Sequence, residues 1–143
     1  MISQGQCNIF KGNLLSGMEN FTNTSPYVYK IALFTSLANL TQNTLIYTTA
    51  GEVVGAGYTA GGKPLVPLTP VVDQATNTAF TSFANVTWNP ASFTARAALI
   101  YNSTTGAAVA VLDFGSDKTN TQAGTFTVTF PTPTSTTAIL RLN

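Results

Sequence analysis

The sequence predicts an all-β protein, a β-sandwich or jelly roll of about seven or eight short strands with one short N-terminal helix. Three observations predict it. Apolar and polar residues alternate with a period of two along most of the chain after Pro26. Threonine, valine and nine phenylalanines supply strand-forming residues in quantity. Clusters of glycine, proline and asparagine punctuate the pattern at intervals of roughly 8 to 12 residues, the turn spacing of packed antiparallel sheets. With 143 residues and a hydrophobic fraction of 44%, the chain is long enough for one core and too short for two, so residues 1–143 are read as a single domain.

The elements follow in order. Phe10, Leu14 and Met18 recur every four residues with Leu15 and Phe21 beside them, so residues 1–25 are read as a helical segment with one apolar stripe. Gly12 and Gly17 weaken that helix, and Asn23-Thr24-Ser25-Pro26 ends it. Tyr27–Thr35 reads as a strand with Tyr27, Tyr29, Ile31 and Leu33 on one face and Lys30 and Ala32 on the other. Thr44–Thr49 is a second, weaker strand. Residues 51–70 carry glycines at 51, 55, 57, 61 and 62 and prolines at 64, 67 and 70, which rules out a central strand. This stretch is expected to be a Gly/Pro-rich loop or extended arm, ordered by a partner through Val53, Val54, Leu65, Val66 and Leu68. Ala79–Trp88 resumes the strand pattern. Ser92–Tyr101 and Ala107–Phe114 form a hairpin through Asn102-Ser103-Thr104-Thr105-Gly106. Both of its strands are apolar on both faces, so both faces must be covered. Thr125–Phe130 and Thr137–Leu142 complete the set.

Composition narrows the function. There is no histidine, one cysteine (Cys7) and only five carboxylates: Glu19, Glu52, Asp73, Asp113 and Asp117. Acid–base catalysis and transition-metal binding draw first on histidine and clustered acids, so catalytic, cofactor-binding and metal-ligating residues are expected to be none. Gly57-Tyr58-Thr59-Ala60-Gly61-Gly62-Lys63 matches the first part of a phosphate loop. Pro64 stands where Ser or Thr is needed and stops the helix that must follow, so a glycine-rich turn is the better reading. Asp113-Phe114-Gly115-Ser116-Asp117 pairs two carboxylates about a glycine, too few ligands for calcium, and reads as a turn. Aromatics spaced by two along strands, among them Tyr58 and Trp88, read as core before they read as a sugar-stacking face.

Only 8% of residues are charged, against about 25% in ordinary domains. The surface is therefore threonine, asparagine, serine and glutamine, with little charge repulsion to keep copies apart, which points to assembly. The net charge of +1 and six scattered basic residues give no footprint for nucleic acid or an anionic membrane. Residues 1–10 lack the pattern of a secretory signal, and the lone Cys7 is expected to be buried in a protein made in a reducing cytoplasm.

Several stretches, in matching order along nearly the whole chain, resemble a family of small virion structural proteins of tailed bacteriophages. They include Cys7-Asn8-Ile9-Phe10-Lys11, Lys30-Ile31-Ala32-Leu33-Phe34-Thr35-Ser36 and Gly57-Tyr58-Thr59-Ala60-Gly61-Gly62. The longest run is Phe93-Thr94-Ala95-Arg96-Ala97-Ala98-Leu99-Ile100-Tyr101-Asn102, followed by Ala108-Val109-Ala110-Val111-Leu112-Asp113-Phe114-Gly115 and Phe126-Thr127-Val128-Thr129-Phe130-Pro131. Glu19 stands where the resemblance would put histidine, and Ala97 where it would put glycine. The resemblance implies a non-enzymatic capsid cement or decoration protein, assembled in the host cytoplasm and located on the capsid surface of the virion. Its implied partners are the major capsid protein and further copies of itself, as a homodimer or homotrimer. A phage tail component (an adaptor or a receptor-binding fibre domain) and a carbohydrate-binding β-sandwich module stand as alternatives.

Overall fold

Strands that are apolar on both faces can only sit at the centre of a fold, and that is where the hairpin lies. The computed structural model describes all of residues 1–143. Along the chain come β1 (Gly5–Gln6), α1 (Asn8–Leu15), β2 (Tyr29–Phe34), β3 (Lys63–Pro64), β4 (Val71–Asp73) and β5 (Thr78–Thr81). Then follow β6 (Val86–Ala91), β7 (Thr94–Asn102), β8 (Ala108–Thr119), β9 (Gly124–Val128) and β10 (Leu140–Leu142). All ladders are antiparallel: a five-stranded sheet ordered β1-β8-β7-β2-β3, a three-stranded sheet β10-β5-β4, and the pair β6-β9. The protein is all-β but for one short helix, as its alternation predicts.

Register explains the double burial. Residues opposite one another across a ladder share a face. Tyr29, Ile31 and Leu33 pair with Asn102, Ile100 and Ala98 on one face, while Ala32 and Phe34 pair with Leu99 and Ala97 on the other. All ten are buried. On the first face, the Phe21 ring stacks on Tyr29 with centroids 4.5 Å apart, and Phe10 and Phe83 meet Phe21 edge-on at 5.9 and 6.0 Å. On the second, Tyr47 stacks on Tyr101 at 4.6 Å. The β7–β8 turn forms because Asn102 Oδ1 accepts the Thr104 and Thr105 amides and Gly106, at φ +82°, donates back to the Asn102 carbonyl. Cys7 is fully buried, as its lone occurrence predicts.

Several elements depart from the expectation. The helix stops at Leu15, because Gly17, at φ +72°, turns the chain: the Gly17 amide bonds the Leu14 carbonyl and the Met18 amide that of Asn13, a Schellman closure. Met18 and Phe21 thus lie outside the helix, and Leu15, placed in the expected apolar stripe, is exposed. Thr44–Thr49 is not a strand. The edge of β8 that it would join is taken by β1 at Ala110 and Val111, which leaves a single bridge between Ile46 and Ala107. The expected strand Ala79–Trp88 is two strands in different sheets, because the Ser82 carbonyl and Ala84 amide bond Leu68 and Val66 instead of continuing a ladder. The expected strand from Thr137 begins only at Leu140. Strands β1, β3 and β4, of two or three residues, are too short for any alternation to announce them.

Residues 51–70 are not an arm waiting for a partner. They strap the free edge of β2: the Val53 amide donates to Leu33, the Leu65 amide to Tyr29, and Lys63–Pro64 ladders onto Lys30 and Ile31. Val53 and Leu65 are buried in the domain's own core, and only Val54, Val66 and Leu68 remain exposed. Glycine makes the close approach possible. A Cβ on Gly62 would stand 1.8 Å from the Ile31 carbonyl oxygen, at a φ of +74°. Gly106 has a similar φ of +82° but open space around it. Gly106→Ala is therefore expected to cost only the left-handed backbone penalty, about 1 kcal/mol. Gly62→Ala should cost about 3 kcal/mol or more, because a backbone atom must also move. Urea denaturation of both variants checks this; equal losses would mean that the strap does not need the close approach.

Candidate functional site

Each face of the central sheet brings one carboxylate out of water, and the two are served very differently. Glu52 lies opposite Phe34 across an isolated bridge, on the face of Tyr101, and is only 8% exposed. Its Oε2 accepts the Tyr47 hydroxyl at 2.6 Å; its Oε1 accepts the Tyr58 hydroxyl at 2.6 Å and the Gly61 amide at 2.7 Å. The Tyr58 oxygen accepts the Leu33 amide, and the Tyr101 hydroxyl donates to the Gly61 carbonyl. Burial, then the bond to Glu52, pushes the Tyr47 and Tyr58 phenols far above their ordinary range, so both stay protonated donors. The phosphate-loop-like stretch Gly57–Lys63 is thus a turn whose Gly61 amide already serves a protein anion. Lys63 Nζ donates to the Thr87 carbonyl at 2.7 Å and lies 5.7 Å over the Trp88 ring.

Glu19, a single acid between Met18 and Phe21, is the buried group that sequence reasoning passed over. It is 9% exposed and lies on the opposite face. Its Oε2 accepts the Tyr29 hydroxyl at 2.6 Å and the Asn102 amide at 3.3 Å. Its Oε1 is buried with no hydrogen-bond partner, and neither oxygen meets a lysine or arginine. Burial pushes the Glu19 carboxyl up, and the hydrogen bonds from Tyr29 and Asn102, with the Asn13 side chain nearby, only partly oppose it. Beside it, a cavity of about 250 Å³ opens between the end of α1, β5 and β10. The one sequence signal was an acid in an otherwise apolar stripe.

The remaining candidates resolve into structure. Asp113 accepts Arg96 Nε at 3.0 Å and the Gly115 amide at 2.8 Å; the Arg96 bond, first of all, holds its carboxyl below the ordinary value. Asp117 lies farther along the same strand, exposed. No three of the Cys, Asp and Glu side chains come together in a metal-holding group. The Cys7 thiol is pushed up to about 11 by burial, which removes the thiolate a nucleophile needs. Trp88 is 1% exposed and Tyr58 has its hydroxyl bound, so the two do not form an open stacking platform.

What the surface does offer is apolar edges. Strand β4 closes one side of its sheet, and its outer side has no strand partner. Val71 and Val72 there are 47% and 71% exposed, and Val72 lines one shallow depression with Leu142. A second group, Leu37, Leu45, Ile46 and Val54, lies exposed on the loops between β2 and β3. An unpaired edge with valines on both faces is a template for another chain.

The chain matches no protein-family model, no curated protein and no solved structure.

Two outcomes follow from the carboxylates. Glu52→Ala strands three donors at once and should lower the unfolding free energy by about 3 kcal/mol or more, whereas Tyr47→Phe should lower it by about 1 kcal/mol. Denaturant titration measures both. For Glu19 the folded state holds its proton above the ordinary value of 4.5, so between that value and the raised one the folded chain binds more protons than the unfolded. Stability from this group is present below pH 4.5 and falls as pH rises through that window. Glu19→Gln should flatten this fall. Asp73 and Asp113, held below their ordinary 3.8, act in the opposite sense at lower pH, and subtracting the variant's profile from the wild type's removes them.

Proposed function

We propose that this chain is a non-enzymatic structural protein that works by binding other protein surfaces. Its most concrete form is a capsid cement or decoration protein of a tailed bacteriophage. It would bind the outside of the major capsid shell, bridge capsomers, and contact further copies of itself. The observation that carries this reading is the unpaired β4 edge with Val71 and Val72 exposed on a chain of very low charge. Burying apolar surface there is worth about 25 cal/mol per Å² before association costs, and few charges oppose contact. The resemblance of the β2, β7 and β8 segments to small virion proteins supplies the specific partner. Both buried carboxylates and the aromatic rings stand inside the domain, which favours packing over turnover.

Copy number on purified virions tests the capsid assignment. Some tens of copies or more, removable without loss of the tail, is the expected result; a few copies confined to the tail would favour an adaptor or fibre role instead. Val72→Lys tests the edge. At so exposed a position it should change stability by no more than about 0.5 kcal/mol. A lysine on an edge strand blocks pairing, so the variant should be under-represented on particles grown with a mixture of both forms. Equal occupancy would show that β4 is not the contact.

A further inference from the structure

The cavity beside Glu19 carries a proposal of its own, which does not depend on the virion reading. Its wall is mostly apolar, with Phe10, Leu14, Phe21, Phe80 and Leu140 around it, and its volume is about 250 Å³. An apolar cavity of about 150 Å³ already takes a benzene ring, so this one has room for a ring or branched chain plus a short polar arm. Two acceptors among the polar groups on the wall are unpaired. Glu19 Oε1 and Gln6 Oε1 are buried acceptors with no partner. Of the donors nearby, Gln6 Nε2 bonds the Arg141 carbonyl at 3.1 Å and Arg141 Nη1 the Thr136 carbonyl at 2.6 Å, and Asn20, Thr22 and Thr81 complete the polar part of the wall. A buried carboxylate without a cation is costly, and a buried acceptor without a donor adds to that cost. Whatever fills the cavity must therefore bring donors, preferably with positive charge.

We propose that this cavity is a receptor for a primary ammonium carried on an apolar stem, with Glu19 as its counter-ion and Gln6 as a second acceptor. An ammonium offers three donors and no acceptor, which matches the two unpaired oxygens. The aromatic wall covers the stem. The ammonium could belong to a small free amine or to a lysine side chain of a partner protein, and the chemistry recognised is the same.

Benzylamine, benzyl alcohol and Nα-acetyl-lysine methylamide are the probes, each titrated into ¹⁵N-labelled protein at neutral pH. Benzylamine should give saturable amide shifts confined to residues 19–22, 79–81 and 140–142. Benzyl alcohol, which keeps the ring and loses the charge, should bind at least roughly tenfold more weakly, the usual difference for a charge-assisted bond. Glu19→Gln should weaken benzylamine by a similar factor while leaving the rest of the spectrum folded. Ala79→Phe keeps the carboxylate, fills the cavity and should abolish binding, which guards against a folding artefact in the first variant. Tighter binding of the capped lysine than of benzylamine assigns the receptor to a partner's lysine, and the reverse order to a free amine. The proposal is overturned if benzylamine shows no saturable shift at these residues, if the alcohol binds equally well, or if Glu19→Gln leaves the affinity unchanged.

Discussion

From Ala97 onward strand β7 has no solvent side, and the rest of the architecture answers that constraint. Five consecutive residues, Ala97 to Tyr101, are buried although their side chains alternate between two faces. Strands β2 and β8 occupy its two edges, so only cover from above and below can satisfy it. The chain supplies one cover from each direction. Phe10, Phe21 and Phe83 close the face of Tyr29 and Ile100. The strap after β2, with Glu52 and Tyr58, and Tyr47 just before it close the face of Phe34 and Tyr101. A single helix of two turns suffices because loops do most of this covering.

Irregular covers bring polar groups with them, and the two carboxylates show how differently that can be managed. Glu52 spreads its charge over two phenols and a backbone amide, so one side chain holds the turn, the strap and two aromatic rings in place. Such a fully satisfied group specifies a conformation, which is why a stretch rich in glycine and proline follows a defined path instead of hanging free. Glu19 has less. One oxygen is bound by Tyr29 and Asn102 and the other has no hydrogen-bond partner, at the wall of a cavity of about 250 Å³. Structural economy accounts for Glu52, whereas Glu19 keeps a buried oxygen unpaired.

Outside, the same composition that makes a good core leaves a bland surface. Threonine pairs such as Thr87–Thr127 and Thr94–Thr119 bond each other across ladders in place of ion pairs, and Arg96–Asp113 is the only salt bridge. With so few charges, the valines on β4 meet little electrostatic resistance to a partner chain. Apolar surface on this chain is concentrated at that edge and on the loops after β2.

Much of this was legible in the residues. Two-residue alternation announced β2, β7, β8 and β9 because each is long enough to repeat the pattern, and the double apolarity of β7 and β8 announced their central place. Pro64 and the absent helix dismissed the phosphate loop before any geometry did. Other features depend on which backbone edges are free, a property that no local window contains. Thr44–Thr49 lost its strand to β1, and Ala79–Trp88 was divided by hydrogen bonds with Leu68 and Val66, both contests between separate segments of the chain. The strap at residues 51–70 read as a free arm because proline and glycine lower local order, while the force that orders it, a carboxylate reaching two tyrosines and an amide, acts through space. The cavity at Glu19 was invisible for the same reason: burial is set by what packs around a residue. Sequence alone determined the strand content, the central hairpin and the uncharged surface, since these rest on periodicity and composition. Tertiary structure decided which acids were buried, which were satisfied and which edges stayed open, since those depend on partners brought together only by folding.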